Sequence, residues 1–257
     1  MAKYLLLSDN INSMKVSEAF LLRKFEYGEA DYILSLFTKN FGKISGLAKH
    51  AKRSRKRFGG RLEPFVHLRV RFREKLGGIK FIEDSETIQV FSTIMQDIDL
   101  FMCGSFILEN VGILIPEEDP NERMFNLLVE TLSALDSKKS PSNVILKFQL
   151  SALSLSGYEP NFNACVECKN LIEQEGFFSI QKGGIACNEC KSSISNGFRI
   201  SNDFLLAQRD WMKWNHNFLN HELKDPLEYI KLLVKFTQYR TGKEIKSSKF
   251  LEELSND

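Results

Sequence analysis

Over the first ninety residues, apolar and polar positions change in short runs bounded by turn residues. Val16 to Lys24, Ala30 to Thr38 and Lys43 to Lys49 are rich in apolar and β-branched residues, with Tyr27-Gly28-Glu29 and Lys39-Asn40-Phe41-Gly42 between them. Phe65 to Arg73 alternates cleanly: Val66, Leu68, Val70 and Phe72 fall on one side, His67, Arg69, Arg71 and Arg73 on the other. Ile79 to Asp84 follows a Gly77-Gly78 turn. Five short strands with tight connections predict a small antiparallel barrel.

After Gln89 the spacing becomes helical. Ile94, Ile98, Phe101, Met102, Phe106, Leu108 and Ile113 recur at three and four residues until Pro116. Met124, Leu127, Leu128 and Leu132 mark a helix from Glu122 to Leu135, and Ser140-Pro141-Ser142 opens another from Asn143 to about Ser156. Ser201-Asn202-Asp203 offers cap residues before Phe204 to Trp214. Pro226 starts a last helix ending near Gly242. The fold class is therefore α+β, a five-stranded barrel over residues 1–90 followed by a helical domain over 91–257.

Four of the five cysteines interrupt that helical domain, at about 160–198. Cys165-Val166-Glu167-Cys168 and Cys187-Asn188-Glu189-Cys190 form two C-x-x-C pairs, eighteen residues apart. Two residues between cysteines let both sulfurs of a tight turn face one metal, and two such turns complete a tetrahedron. Apolar runs around Gly183-Gly184 predict a hairpin that returns the second pair to the first. The expectation is one structural zinc on Cys165, Cys168, Cys187 and Cys190. Four thiolates close the coordination shell, whereas a catalytic zinc keeps a position open. The four histidines supply neither an H-x-E nor an H-E-x-x-H signature. Disulfides fit poorly, because the chain has no secretory pattern and a core large enough to do without them.

Composition is that of a globular protein, 43% hydrophobic and 26% charged. No window approaches a membrane span, so the expected location is the cytoplasm, without membrane contact. Met14 is an expected alternative start, which makes residues 1–13 an extension. The formal net charge of +2 hides a strong asymmetry. From Lys39 to Arg73 twelve Lys or Arg face one acid, Glu63, a net of +11 that leaves −9 elsewhere. Lys49, Lys52, Arg53, Arg55, Lys56, Arg57 and Arg61 crowd the loop after the third strand, and Arg69, Arg71 and Arg73 line one side of the fourth. Such unbalanced cations predict nucleic-acid binding through phosphates. Phe41, Phe58, Phe65 and Tyr27 are nearby aromatics; each reads first as core, and Phe58 is the best candidate to stack on bases because cations flank it. Among the familiar catalytic constellations, P-loop, G-x-S-x-G and paired acids beside a histidine are all missing from the basic domain. Cys103 reads as buried core.

The run Phe20-Leu21-Leu22-Arg23-Lys24-Phe25-Glu26-Tyr27-Gly28-Glu29-Ala30-Asp31-Tyr32-Ile33-Leu34, then Leu36-Phe37-Thr38 and Gly42-Lys43-Ile44, resembles the N-terminus of the RecO family of bacterial recombination mediators. Ala48 to Arg55 and Leu62-Glu63-Pro64-Phe65 are similar to that family's loop and fourth strand. The cysteine insertion and a closing helix from Tyr239-Arg240 to Leu254 fit as well. His50 stands where relatives usually carry glycine. The resemblance implies an OB-fold joined to a helical domain with a zinc-ribbon-like insert. It also implies binding of single- and double-stranded DNA, strand annealing, and loading of RecA onto DNA coated by single-strand-binding protein. RecR and the acidic C-terminal tail of single-strand-binding protein are the implied partners, the tail in an apolar pocket rimmed by cations, with Lys147 or the Trp211 to Trp214 region contributing. The DNA-contacting set expected is Arg23, Lys43, Lys49, Lys52, Arg53, Arg55, Lys56, Arg57, Arg61, Arg69 and Arg71.

Three functions compete on these residues. The leading one is a non-enzymatic DNA-binding mediator of recombinational repair. A zinc-ribbon RNA-binding or transcription-associated protein would use the same barrel and ribbon. A metal-dependent nuclease needs a carboxylate cluster beside the basic groove, where only Glu63 is found.

Overall fold

The computed structural model describes residues 13–74, 79–212 and 223–253. The Gly77-Gly78 turn, residues 1–12 of the expected extension, and Trp214 lie outside them. Five strands, β1 (Lys15–Tyr27), β2 (Asp31–Thr38), β3 (Gly42–Ala48), β4 (Val66–Glu74) and β5 (Lys80–Val90), close in the order β1-β2-β3-β5-β4. All neighbours run antiparallel except β3 and β5, which pair in parallel at Gly46 and Leu47. This is the five-stranded OB-fold barrel.

The barrel closes because every strand offers one apolar side. Val66, Leu68, Val70 and Phe72 of β4 are all buried, meeting Ala19, Leu21, Leu34, Leu36, Ile44 and Ile82 from the other strands. Each large side chain taken out of water contributes about 1.5–3 kcal/mol. β5 extends six residues beyond the apolar run that ends at Asp84. There, Glu86 to Val90 are exposed, and the ladder to β4, from Arg69–Glu86 to Val66–Val90, holds them extended.

His67 lies on the polar side of β4, yet it is buried. Its ring stacks on Phe20 with centroids 4.9 Å apart and lies 5.6 Å from Phe125. The Nε2 atom is 2.9 Å from the Glu18 carboxylate, without aligning as a hydrogen bond. Burial depresses the His67 pKa below its ordinary 6.5, against the opposing pull of Glu18.

Helices α1 (Ser92–Gln96), α2 (Ile98–Leu114) and α3 (Glu122–Asp136) follow. The apolar repeat from Ile94 to Ile113 is not one helix. Asp97, extended at φ −118, caps α2 by accepting from the Asp99 and Leu100 amides, and so separates it from α1. Ile98, a member of that repeat, is 71% exposed, while α2 buries Leu100, Cys103, Phe106, Ile107, Val111 and Leu114. Packing divides the chain into two compact units, Met1–Leu132 and Ser133–Asp257. The division falls inside α3 because Phe125 packs on Phe20 and Phe37, at 5.4 and 5.6 Å.

In the second unit α4 (Pro141–Leu155) packs against α5 (Asn202–Met212) and α6 (Leu227–Thr241). The cysteine segment forms a three-stranded sheet, β7 (Gly184–Ala186) and β8 (Phe198–Ile200) flanking β6 (Gly176–Ser179). Phe162 and Phe178, 5.2 Å apart, join it to Phe204 of α5 and Phe236 of α6 at 5.1 and 5.5 Å. The expected closing helix to Leu254 is broken. α6 ends at Thr241, Gly242 takes a left-handed φ of 67, and a 3-10 turn at Lys246–Lys249 precedes the short α7 (Phe250–Glu253).

Candidate nucleic-acid interface and metal centre

Between β3 and β4 the chain makes helical turns, in which the Ser54 carbonyl accepts from the Phe58 amide at 3.1 Å. Ala51, Phe58 and Leu62 point inward and plug one end of the barrel. Phe58, the best stacking candidate among aromatics read first as core, is only 1% exposed and belongs to the core. Its spacing from Ala51 and Leu62, seven and four residues, is the helical signal that the crowd of cations obscures. Phe65 is buried too, and Phe41 is half-buried against Phe72 at 5.3 Å. The turn is entered through His50 at φ 55, a left-handed position where glycine is at ease, and its amide donates to Asp31 Oδ1 at 2.7 Å.

The cations expected to meet DNA fall into three kinds of environment. Some staple the loop down. Arg57 donates to the Lys49 carbonyl at 2.6 Å, Arg61 to the Ser85 and Arg57 carbonyls at 2.7 and 3.1 Å, and Lys43 to the Gly112 carbonyl at 3.0 Å and the Glu117 carboxylate at 3.5 Å. Others meet acids. Lys52 pairs with Glu26 at 3.0 Å, Arg71 forks onto Asp84 at 2.8 and 2.5 Å, and Arg69 lies 4.0 Å from Glu86. Arg73 likewise meets Glu83 at 2.6 Å. The arginines of β4 are thus balanced by β5, which corrects their reading as unpaired charge: register sets Arg69 opposite Glu86 and Arg71 opposite Asp84, and brings Glu83 diagonally to Arg73.

The third kind is open. Arg23, Arg55 and Lys56 are exposed and have no acidic partner among the described residues. Arg53 is exposed with Glu29 only at 4.0 Å, and Lys49 lies over the Phe81 ring at 5.3 Å. Arg55 also edges a hollow of about 360 Å³ lined by Lys52, Ser54, Gly59, Gly60 and Arg61. On β1, Phe25 and Tyr27 follow Arg23 at every second position, each 54% exposed. Phe25 was not among the aromatics singled out from sequence. Beyond the bulge near Arg23 no face of β1 is consistently apolar, so alternation carries no message there.

The four cysteines come together as the spacing predicts. β6 and β7 pair with Phe177 opposite Ala186, so Cys187 follows directly from the hairpin. The Val166 amide donates to the Ile185 carbonyl at 2.8 Å and docks the first pair against β7. All four Sγ atoms lie within 4.8 Å of one another, with Cys168 and Cys187 at 3.8 Å. A tetrahedral ion with bonds of about 2.3 Å needs sulfurs about 3.8 Å apart, so the set fits. The Glu167 and Cys187 amides point at Cys165 Sγ at 3.4 and 3.3 Å. Against the effect of burial, the amides of Cys187, Cys168 and Glu167 hold the Cys165 thiol down to about 6. The Cys187 hydrogen bond and partial burial push Cys190 up to about 12. One thiolate among four sulfurs discourages the next, and a bound cation reverses that. Cys103, pushed up to about 12 by burial and by Asp99 and Asp97, is an inert core thiol.

Two family descriptions match this chain in sequence order. "Recombination protein O N terminal" covers residues 14–91, the barrel, and "Recombination protein O C terminal" covers 95–249. The chain belongs to the RecO family. A protein named DNA repair protein RecO from Desulfatibacillum aliphaticivorans is 33% identical over 93% of this chain and 96% of its own length. Its namesake from Thermodesulfovibrio yellowstonii is 32% identical over 79% and 82%. That from Myxococcus xanthus is 28% identical over 93% and 98%. Lys147 and Trp211, expected near a docking pocket, are buried. Among the described residues no helix is long and apolar enough to cross a membrane.

Proposed function

We propose that this chain acts in DNA repair as a non-enzymatic recombination mediator. It binds single- and double-stranded DNA, anneals complementary strands, and helps RecA load onto DNA coated by single-strand-binding protein. The observation that carries this is the open set of cations, Arg23, Lys49, Arg53, Arg55 and Lys56, on a RecO-family OB barrel, beside the exposed Phe25 and Tyr27. Phosphates take the cations and supply affinity without reading sequence, while bases stack on the aromatics. Lys52, Arg61 and the β4 pair Arg69 and Arg71 extend the positive border, at lower strength because acids or carbonyls already hold them.

The metal on Cys165, Cys168, Cys187 and Cys190 is zinc in this reading, since four thiolates in a tetrahedron suit it, and its work is to fold the ribbon. RecR and the single-strand-binding-protein tail are the partners, in the cytoplasm and on the nucleoid. Our candidate for the tail is a hollow of about 420 Å³ formed by Asn163, Leu171, Ile172, Glu173 and Arg209. Leu171 provides exposed apolar surface there, and Arg209, which also donates to the Ile172 carbonyl at 2.5 Å, a cation for a terminal carboxylate.

The test is R53A/R55A/K56A, with binding to an oligonucleotide followed across salt. The slope of log affinity against log salt should shrink by roughly 0.7 for each lost single-strand contact, and similarly for unrelated sequences. Annealing should proceed in the wild type without nucleotide or added metal, and slow in the variant. An unchanged slope means that the loop is only a solvated face.

A further inference from the structure

The modest net charge conceals a second cationic run. Between Lys231 and Lys249 the sequence holds Lys231, Lys235, Arg240, Lys243, Lys246 and Lys249 against a single acid, Glu244. Gly242, left-handed at φ 67, ends α6, and the Ile245 amide donates to Gln238 Oε1 at 2.9 Å, which ties the start of the 3-10 turn Lys246–Lys249 to the end of the helix. Ile245 and Phe250 are buried on either side of that turn, while Lys246 and Lys249 are exposed. On α6, Lys235 and Tyr239 are one turn apart on one face, and Tyr239 is 55% exposed. Arg240 is exposed at its neighbour's side, its guanidinium 6.0 Å from the rings of both Tyr158 and Phe236.

Ordinary explanations cover part of this. Cations in a helix's last turn complement its dipole, which accounts for Arg240 but not for Lys235 in mid-helix or Lys249 beyond it. A solvated face usually mixes signs, yet from Lys231 to Lys249 the sequence has one acid, Glu244, with Glu228 before the run and Glu252 and Glu253 after it.

We propose that α6 and the turn after it form a second nucleic-acid surface, which takes the sugar–phosphate backbone of a single strand. This rests on the DNA-binding reading of the barrel, since annealing needs two strands held by one protein. An exposed tyrosine set among cations favours a nucleic acid over an acidic peptide, because it offers a base a face to stack on.

The experiment uses the full chain and the variants K235Q/R240Q/K249Q and K235Q/K249Q, the second because Arg240 also packs on two rings. Binding of a fluorescent oligothymidylate across salt and annealing of complementary strands are measured for each, beside R53Q/R55Q/K56Q. The salt slope should fall by about 2 in the triple variant and about 1.4 in the double, at roughly 0.7 per contact, with annealing slowed in both. If the α6 variants keep slope and annealing while the barrel variant loses them, this proposal is overturned and the barrel reading stands. If every variant keeps both, the two fall together. If the α6 variants lose only the binding of a synthetic acidic peptide, the surface is a peptide site and the proposal is likewise overturned. A lowered melting temperature in the triple variant leaves the double, whose two lysines are exposed, to decide.

Discussion

His50 carries a left-handed backbone on a side chain that prefers to avoid it, and its amide hydrogen bond to Asp31 does not depend on the imidazole. A non-glycine residue there is strained by roughly 1–2 kcal/mol, part of which glycine gives back through its freer unfolded chain. His50→Gly should therefore raise stability by about 0.5–1 kcal/mol in denaturant melts, and a loss of stability would contradict the strained turn. His67 gives a second expectation, in pH. Buried beside Phe20, it resists a proton that the unfolded chain accepts below about 6.5. The unfolded state then binds more protons, so stability falls as pH drops below 6.5 and levels off below the depressed folded pKa. Melting followed from pH 7.5 to 5.5 should show a shallower fall in His67→Gln than in the wild type; equal slopes would remove His67 as the cause.

β4 is the element in which packing and charge separate most cleanly. Leu68 faces the barrel interior with no exposed surface, so Leu68→Ala should cost about 2–5 kcal/mol while leaving DNA affinity per folded molecule nearly constant. Arg71 points outward and is clasped by Asp84. Arg71→Ala should leave stability nearly unchanged and weaken DNA binding less than Arg55→Ala does, because Arg71 is already neutralised. Asp84→Asn should strengthen binding by releasing that arginine. Should Asp84→Asn leave affinity and salt slope as they were, β4 takes no part in the DNA surface. A slip of one residue would exchange the two faces, and the burial of Val66, Leu68, Val70 and Phe72 excludes it.

The second unit depends on its insert in a way the first does not. Its ribbon holds only short strands, yet Phe178 at the hairpin packs on Phe236 of α6 and on Phe162, which in turn meets Phe204 of α5. Cys187→Ser should lose the metal and lower the stability of this unit by several kcal/mol, on the order expected when ligand binding and local folding are one equilibrium. Metal analysis of wild-type protein purified under reducing conditions should give one zinc per chain. Finding none would sink the structural-zinc reading.

Periodicity and spacing are local properties, and they placed the strands, most helices and the four cysteines. Two thiolates separated by two residues must share a turn, and a strand with one apolar side must bury it, whatever surrounds them. The family resemblance was equally legible, being a matter of residues in order. What the chain could not reveal alone was which groups meet at long range. Asp84 and Glu86 neutralise arginines that look unopposed in sequence, Arg57 and Arg61 spend their donors on carbonyls, and Phe58 turns inward among cations to plug the barrel. Likewise the Ile245 amide reaches back to Gln238 only because Gly242 ends α6 in a left-handed turn. Charge acts through space, so its balance is fixed by register and closure, which tertiary packing alone supplies.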